Sequence, residues 1–416
     1  MKVKELEGKK ILILGLGRDG KSTLSYLKNH LKDQRIDTTD EKDGDDYLKN
    51  LLEYDVIIKS PGITPFLPQV EEAKKAGKII TSSTAIFFDE FPGIIIGVTG
   101  TKGKSTTSSL IYQILKEGGL KTELIGNIGN PPLDYLDSVD RETVVVFELS
   151  SYQLESLDKS PHIAVFTSFY PEHLNFHKTL DNYLMAKFTI TKFQKEEDYF
   201  IFNSDFPELK NMAQKTLATK IPYSKDSYIG DLNSKLIGEI NEANVAAAMV
   251  VGQILLIDYE TAVKAVEEFE PLEHRLEFVL EKGGISFYND SLATIPQATI
   301  GALDALGSVE TLIAGGFDRG VDYTPLGEAI VNSNIKNLIL FPTTGEKILE
   351  AVEKVDSSKS KIKSFNVSDM KEAVKIAFDN TSKEKICLLS PASTSFNMFK
   401  DYEDRGDQFK EAVKNF

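Results

Sequence analysis

Several features that define protein classes are scarce in this chain. There is one cysteine, Cys387, so a disulfide framework is excluded and a reducing compartment suits it. No apolar run approaches the ~20 residues of a membrane-spanning helix. The opening, MKVKELEGKKILILGLG, sets basic residues before an apolar run. That run is only Ile11-Leu12-Ile13-Leu14 before a glycine, too short for the core of a secretion signal. A cytoplasmic chain without membrane contact is expected. Basic residues are also short: 48 Lys and Arg face 63 Asp and Glu, a net charge of −15. This argues against nucleic acid or an anionic membrane as partner. An anionic ligand must then be held by local groups: glycine-loop N–H donors, helix N-termini and a few cations. Short-period repeats and low-complexity segments are absent, and the Lys/Ser-rich stretch 354–364 reads as a solvated loop.

What is present is an ordinary globular composition, 41% hydrophobic and 27% charged over 416 residues, long enough for two to four domains. Short apolar runs alternate with helix-like segments, which predicts an α/β chain on largely parallel sheets. ILILG (11–15), DVIIKSPG (55–62), GIIIGVTG (93–100), TVVVFELSS (143–151), HIAVFTS (162–168), GISFYNDS (284–291), VETLIAGG (309–316), KNLILF (336–341) and EKICLLSPAS (384–393) read as strands. Segments 17–31 and 104–117 read as helices. The strand–loop–helix unit restarts near residues 10, 93 and 285, placing boundaries near Phe91-Pro92-Gly93 and Glu270-Pro271.

Two glycine loops carry chemistry. GVTGTKGKST (97–106) lies between a strand and a helix, but its glycines fall at 97, 100 and 103, not in the G-x-x-x-x-G-K-[ST] register. The context is still that of a phosphate cradle, in which Gly100, Thr101, Lys102 and Gly103 turn backbone N–H groups toward an anion. Lys104 would neutralise β/γ-phosphate charge, and Ser105 or Thr106 would offer an oxygen to Mg²⁺. The other reading is a tight turn with an exposed lysine. Gly15-Leu16-Gly17-Arg18-Asp19-Gly20 fits G-x-G-x-x-G, with Asp37, Asp40 and Glu41 following. A dinucleotide or a UDP-linked compound would suit it, and so would close packing without a ligand. Ser60-Pro61-Gly62-Ile63 could add N–H donors to the same diphosphate.

Glu148 ends an apolar strand in FELSSYQLE (147–155) and suits Mg²⁺; the other reading is a solvent-exposed strand end. TSFYPEHLNFHKTLDNYLMAKFTI (167–190) brings Glu172, His173, His177 and Lys187, which could be metal ligands, acid/base groups or surface residues. Arg275 could meet a terminal phosphate, and Asn241 and Asn244 an adenine edge. Capping roles fit these three equally.

Together these segments resemble the Mur ligases, the ATP-dependent amide-bond formers of peptidoglycan synthesis. GVTGTKGKST is similar to their ATP loop, which accounts for the glycine spacing. ELSSYQLE resembles their ELSSFQLE block, and YLMAKF the segment with a carbamoylated lysine. NDSLAT (289–294), AGGFDRG (314–320) and LLSPASTSFNMFKDYEDRGDQF (388–409) resemble the blocks of the D-glutamate-adding branch. The resemblance implies an N-terminal Rossmann-like UDP-substrate domain (1–92), a central P-loop ATPase domain with a mainly parallel sheet (93–271) and a C-terminal Rossmann-like domain for the amino acid (272–416). It implies UDP-N-acetylmuramoyl-L-alanine and D-glutamate as substrates, an acyl-phosphate intermediate, and ATP with two Mg²⁺ as cofactors. A monomer is expected.

Site residues follow from the same resemblance. Lys104 holds the β/γ-phosphates, Ser105 and Glu148 one Mg²⁺, and His173 with N-carbamoylated Lys187 the other. Asn241, Asn244, Arg275 and Asp290 contact ATP. Gly17, Arg18, Asp19, Asp40, Glu41, Ser60, Pro61 and Gly62 serve the uridine diphosphate end, and Asn127, Ser150 and Gln153 line the substrate path. Thr294 and Arg319 meet one carboxylate of the amino acid, and Ser395, Phe396 and Tyr402 the other. The chain departs from the pattern at Ser168 (usually Asn), Glu172 (usually Asp), Leu292 (usually Lys) and Arg319 (usually Lys). The lost lysine keeps an L-glutamate-adding variant open. An NAD-dependent oxidoreductase built on residues 15–20 would leave 97–106, Glu148 and Lys187 unexplained. A non-catalytic nucleotide switch would not need Glu148, His173 and Lys187 together.

Overall fold

A computed structural model describes residues 1–44, 46–128, 130–227, 232–355 and 362–416. Three sheets carry the α/β chain. The first is built from β1 (Ile11–Leu14), β2 (Ile36–Thr39), β3 (Val56–Lys59) and β4 (Ile79–Thr81), with α1 (Arg18–His30), α2 (Pro68–Lys75) and α3 (Ser83–Glu90) between and after them. Its order is β2-β1-β3-β4, all parallel. The second has β5 (Ile94–Thr99), β6 (Thr122–Gly126), β7 (Val144–Glu148), β8 (Ile163–Phe166), β9 (Tyr199–Asn203) and β10 (Thr219–Tyr223). Its order is β10-β9-β8-β5-β7-β6, again all parallel. Its helices are α4 (Lys104–Glu117), α5 (Ser151–Leu154), α6 (Leu174–His177), α7 (Leu180–Lys192), α8 (Pro207–Ala213), α9 (Glu239–Ile254) and α10 (Tyr259–Glu267).

The third sheet comprises β11 (Glu277–Lys282), β12 (Ile285–Asn289), β13 (Val309–Gly315), β14 (Asn337–Phe341), β15 (Lys363–Asn366) and β16 (Lys385–Leu389). Its order is β11-β12-β16-β13-β14-β15, antiparallel only between β11 and β12. Helices α11 (Pro296–Leu306), α12 (Thr324–Val331), α13 (Thr344–Val355), α14 (Met370–Asn380) and α15 (Tyr402–Asn415) complete it.

Continuous apolar runs such as Val144-Val145-Val146-Phe147 are the mark of strands covered on both faces, and all of β7 is buried. In the third sheet alternate residues feed two cores. Leu312, Leu338 and Leu340 meet Leu326 and Ile348 on one face. Ile313, Ile339 and Phe287 meet Phe409 and Val374 on the other. Cys387 is fully buried in β16, paired with Phe287 of β12 and Thr311 of β13.

The backbone divides into two compact units: Met1–Leu232 with Ala243–Glu267, and Asn233–Glu242 with Glu268–Phe416. The first holds the first two sheets and the second holds the third. Among the described residues no helix is long and apolar enough to cross a membrane.

The stretch 354–364, expected as a loop, is partly ordered structure. Residues 354–355 close α13 and 363–364 open β15, while 356–361 lie outside the described residues.

Candidate active site

In the second sheet β5 lies between β7 and β8, so the segments leaving all three strands gather at one end. Such a switch point in strand order is where open α/β sheets bind ligands. Val98 pairs with Glu148, and Thr99 with Phe166. The turn 100–103 leaves β5 here and ends at the N-terminus of α4.

This turn is clasped by the segment after β8. The Thr101 N–H donates to the Ser168 carbonyl at 2.8 Å, and the Lys102 N–H to Ser168 Oγ at 2.8 Å. Ser168 Oγ and Thr167 Oγ1 donate in turn to the Lys102 carbonyl at 2.9 and 2.5 Å. Thr101 Oγ1 donates to the Tyr170 carbonyl at 3.1 Å and accepts from its N–H at 3.0 Å. It also lies 3.1 Å from the Tyr183 hydroxyl. The N–H groups of Thr101 and Lys102 therefore face protein. Further donors belong to the first turn of α4, since the first N–H groups of a helix have no acceptor within it. Ser168 is part of this clasp. Two glycines are sterically required: a Cβ on Gly100 (φ +153°) would lie 2.0 Å from Thr167 Oγ1, and one on Gly103 (φ +88°) 2.3 Å from Asn244 Oδ1. Asn244 also accepts from Thr107 Oγ1 at 3.1 Å.

Two lysines converge on the turn. Lys104 Nζ donates to the Gly100 and Thr101 carbonyls at 3.0 and 3.1 Å. Lys187 Nζ donates to the same Gly100 carbonyl at 2.8 Å. Lys187 is 1% exposed and lies 4.9 Å from the Tyr183 ring centre. Burial holds its pKa well below the usual lysine value and Lys104 adds to this, while Glu172 and Glu148 oppose it. Glu148 is fully buried. Its Oε1 accepts from Asn127 Nδ2 at 2.8 Å, and its Oε2 has no hydrogen-bond partner.

Glu172 lies 3.8 Å from Lys102 Nζ and 3.6 Å from His173 Nε2. His173 precedes α6 with φ +57°, and its Nδ1 is 2.6 Å from the Tyr152 hydroxyl. His177 is fully buried against Ser151 Oγ at 2.9 Å. Burial, then Lys187, pulls its pKa down to about 4. Among the described residues no three His, Cys, Asp or Glu side chains form a metal-binding group. Ser150 and Gln153 cap α5: Ser150 Oγ accepts from the Gln153 N–H, and Gln153 Oε1 accepts from the Ser150 N–H at 2.9 Å.

The first glycine loop leaves β1. A Cβ on Gly20 would lie 1.9 Å from the Gly15 carbonyl oxygen, whereas one on Gly17 meets nothing within 4 Å. Asp40 accepts from the Leu16 N–H at 2.6 Å and the Lys42 N–H at 3.2 Å. Asp37 is held by Arg35 and Tyr54. Ser60 Oγ donates to the Gly15 carbonyl at 2.7 Å. The N–H groups of Ser60 and Ile63 bond to Leu14 and Ser60 carbonyls, so neither is aimed at a ligand. Arg18 Nη2 donates to the Gly126 carbonyl at 3.1 Å. Burial raises the pKa of Asp19. Glu41 opens a short turn that Asp40 caps.

In the second unit, four of the residues expected for the amino acid, Thr294, Arg319, Ser395 and Phe396, lie on loops leaving the C-terminal ends of β12, β13 and β16, and the fifth, Tyr402, opens α15. Arg319 and Phe396 are exposed and Ser395 is buried. Tyr402 donates to Glu403 at 3.1 Å. Asp290 accepts from the Leu276 N–H at 3.2 Å and Ser390 Oγ at 2.8 Å. Arg275 lies in the turn before β11, and Asn241 donates to the Ile237 carbonyl at 2.9 Å. The loops are tied by Arg405, fully buried, which donates to Ser291 Oγ, the Ser291 carbonyl and the Ser393 carbonyl at 3.0, 2.7 and 3.0 Å. Sequence reasoning missed Arg405, and also Tyr152 and Tyr183. A lone arginine or tyrosine in a polar helix carries no signal of its partner. Only the spacing of RGDQF after SPAS pointed there.

Comparison with known proteins adds the lineage. Residues 98–232 match the Mur ligase middle domain and 274–393 the Mur ligase glutamate ligase domain. A UDP-N-acetylmuramoylalanine–D-glutamate ligase of Acetivibrio thermocellus is 34% identical over 99% of this chain and 97% of its own length. One of Clostridium botulinum is 36% identical over 89% of this chain and 85% of its own. In fold, MurF of Acinetobacter baumannii superposes with a TM-score of 0.64 at 15% identity, over 99% of this chain and 92% of that one. The chain belongs to the Mur ligase family, within the branch of the UDP-N-acetylmuramoylalanine–D-glutamate ligases.

Proposed function

We propose that this chain joins D-glutamate to UDP-N-acetylmuramoyl-L-alanine, with cleavage of ATP to ADP and phosphate, as a cytoplasmic step of peptidoglycan precursor synthesis. The observation that carries the reading is the meeting of Lys104 and Lys187 on the Gly100 carbonyl, within the electrostatic reach of Glu148. Residues 1–92 take the UDP-linked substrate, 93–271 take ATP and 272–416 take the amino acid.

The substrate carboxylate attacks the γ-phosphorus, and the bond to the ADP oxygen breaks. The amine of D-glutamate then attacks the acyl-phosphate carbonyl, loses a proton and expels phosphate. No protein nucleophile is needed. The protein's task is to hold the reactants in line and to offset charge. The first turn of α4 and Lys104 hold the β- and γ-phosphates.

The buried Glu148 Oε2 without a donor fits a cation, because a desolvated carboxylate oxygen is costly unless compensated. Ser105 and Glu148 would hold one Mg²⁺, and His173 and Lys187 the other. Bound there, Mg²⁺ neutralises the charge of the transferring phosphoryl group. Burial lowers the pKa of the Lys187 amine, which favours the neutral form that reacts with CO₂. Its nitrogen would form a bond to carbon and release a proton, giving an anionic oxygen ligand in place of a repelling ammonium.

The test is phosphate release with ATP, Mg²⁺ and UDP-N-acetylmuramoyl-L-alanine, run with D-glutamate, L-glutamate and no amino acid. Release that needs D-glutamate, with a product heavier by one glutamate residue, is expected. Release with L-glutamate only would assign the chain to a variant in which Leu292 marks altered selectivity. Arg319→Ala should raise KM for the amino acid well above any change for ATP; equal effects would remove Arg319 from carboxylate binding.

A further inference from the structure

Glutamate brings two carboxylates, and its amine must be unprotonated to attack, so the nucleophile carries two negative charges. Carboxylates leaving water need cations or strong donors. The residues proposed for the amino acid supply one cation, Arg319; Thr294, Ser395, Phe396 and Tyr402 carry no charge, and neither does Leu292. We propose that Lys347, on α13, is a further specificity-determining residue that provides the second positive charge for the dicarboxylate. The inference rests on the reading above in placing the amino acid at Arg319 and Ser395.

The start of α13 is knitted to the two loops that carry Arg319 and Ser395. The Thr343 and Thr344 N–H groups donate to the Gly316 carbonyl at 2.8 and 3.1 Å, and Thr344 Oγ1 donates to it at 3.1 Å. Thr344 Oγ1 is also 2.7 Å from Ser393 Oγ. The loops are joined to each other by the Phe317 N–H, which donates to the Thr394 carbonyl at 2.7 Å. Lys347 stands three residues after Thr344 and so on the same helix face. Its Nζ donates to Asp318 Oδ2 at 2.5 Å, and Asp318 Oδ1 accepts from the Gly320 N–H at 2.9 Å. The ammonium is thereby fixed to the residue next to Arg319. An ammonium has three donors, and Asp318 is the one acceptor that the described residues offer it. The Lys347 side chain is 49% exposed, so its other donors face water and are open to a ligand. A half-exposed pair of this kind is weak and can share its ammonium with a second carboxylate. The other cations of these loops are placed differently. Arg405 is buried and spent on Ser291 and Ser393. Lys400 is 87% exposed and lies 4.0 Å from Asp401.

The experiment compares wild type, Lys347→Gln, Lys347→Arg and Lys400→Gln as full chains, by phosphate release with ATP, Mg²⁺ and UDP-N-acetylmuramoyl-L-alanine over a range of D-glutamate and salt. Glutamine keeps the stem and removes only the charge. Lys347→Gln should raise KM for D-glutamate by about tenfold and flatten its rise with ionic strength. KM for ATP, KM for the UDP-linked substrate and the thermal midpoint should stay where they are. Lys347→Arg should recover most of the loss, and Lys400→Gln should match wild type. An unchanged KM for D-glutamate in Lys347→Gln, with wild type active on D-glutamate, sinks the proposal and leaves the reading above standing. A rise in all three KM values together, or no recovery with arginine, would mark Lys347 as structural and also overturns it. Transfer of the salt-dependent effect to Lys400→Gln would do the same. Wild type that releases no phosphate with D-glutamate would sink the reading above, and the proposal with it.

Discussion

The turns after β1 and β5 both join a parallel strand to a helix through glycines, but glycine is required in them for different reasons. After β5, other elements press in: Thr167 and Asn244 occupy the places where Cβ atoms of residues 100 and 103 would stand. After β1 the contacts are mixed: a Cβ on Gly20 would meet the Gly15 carbonyl, one on Gly15 (φ +94°) would meet Ser60, and Gly17 faces open space. The lysines near the two turns differ as well. Lys104 and Lys187 are folded onto the second turn. The buried lysine beside the first, Lys59, donates to the Ile63 carbonyl at 2.6 Å and so braces its own loop. One turn draws two lysine nitrogens onto a single carbonyl; beside the other, a buried lysine holds the loop after β3.

The sharpest way to break this contrast is Lys187→Ala. Loss of the group proposed to hold a metal ion at the reacting phosphate should lower kcat by about 10²–10³-fold or more. Short-chain carboxylates should restore part of it if a carbamate is the working form. Phosphate release decides it, and full activity without Lys187 would put the β5 turn on a par with the β1 turn.

Next come the paired glycine variants. Gly103→Ala adds strain at positive φ and meets a side chain; Gly20→Ala meets backbone. Each should cost about 1–3 kcal/mol, but only Gly103→Ala should also raise KM for ATP. Equal effects on ATP would erase the distinction.

A third test uses pH. Burial pulls the Lys59 pKa from 10.5 to about 8, with Glu155 opposing. The unfolded chain therefore binds more protons between these values, and stability attributable to Lys59 rises as pH goes from about 8 to 10.5. The full span is roughly 3 kcal/mol. Lys59→Met should flatten that rise relative to wild type in denaturant titrations; an identical pH profile would place the lysine in a wetter setting. The smallest effect is expected for Gly17→Ala, within about 0.5 kcal/mol, with a changed KM only for the UDP-linked substrate.

Much of this was legible in the sequence because central strands announce themselves. ILIL, VVVF and NLILF are buried on both faces and must be apolar. Edge strands do not: β2 (IDTT) is half-buried and β15 (KSFN) mostly exposed, so nothing in their composition separates them from loops. The β5 turn was readable because phosphate binding constrains a contiguous run. Its clasp by Ser168 and Tyr170 was not, since those partners lie 66 and 69 residues away. Asp40, expected at a ribose, bonds to Leu16 N–H, because a short acidic side chain next to a turn satisfies backbone donors as readily as a ligand.

The single thiol gives the molecule a built-in clock. Cys387 sits at the middle of the third sheet with no exposure, and burial raises its pKa further. A thiol reagent can reach it only when the apolar core on that face of the sheet, which Val374 and Phe409 help to form, opens. Its labelling rate therefore times the opening of that core, against a background with no other sulfhydryl to react.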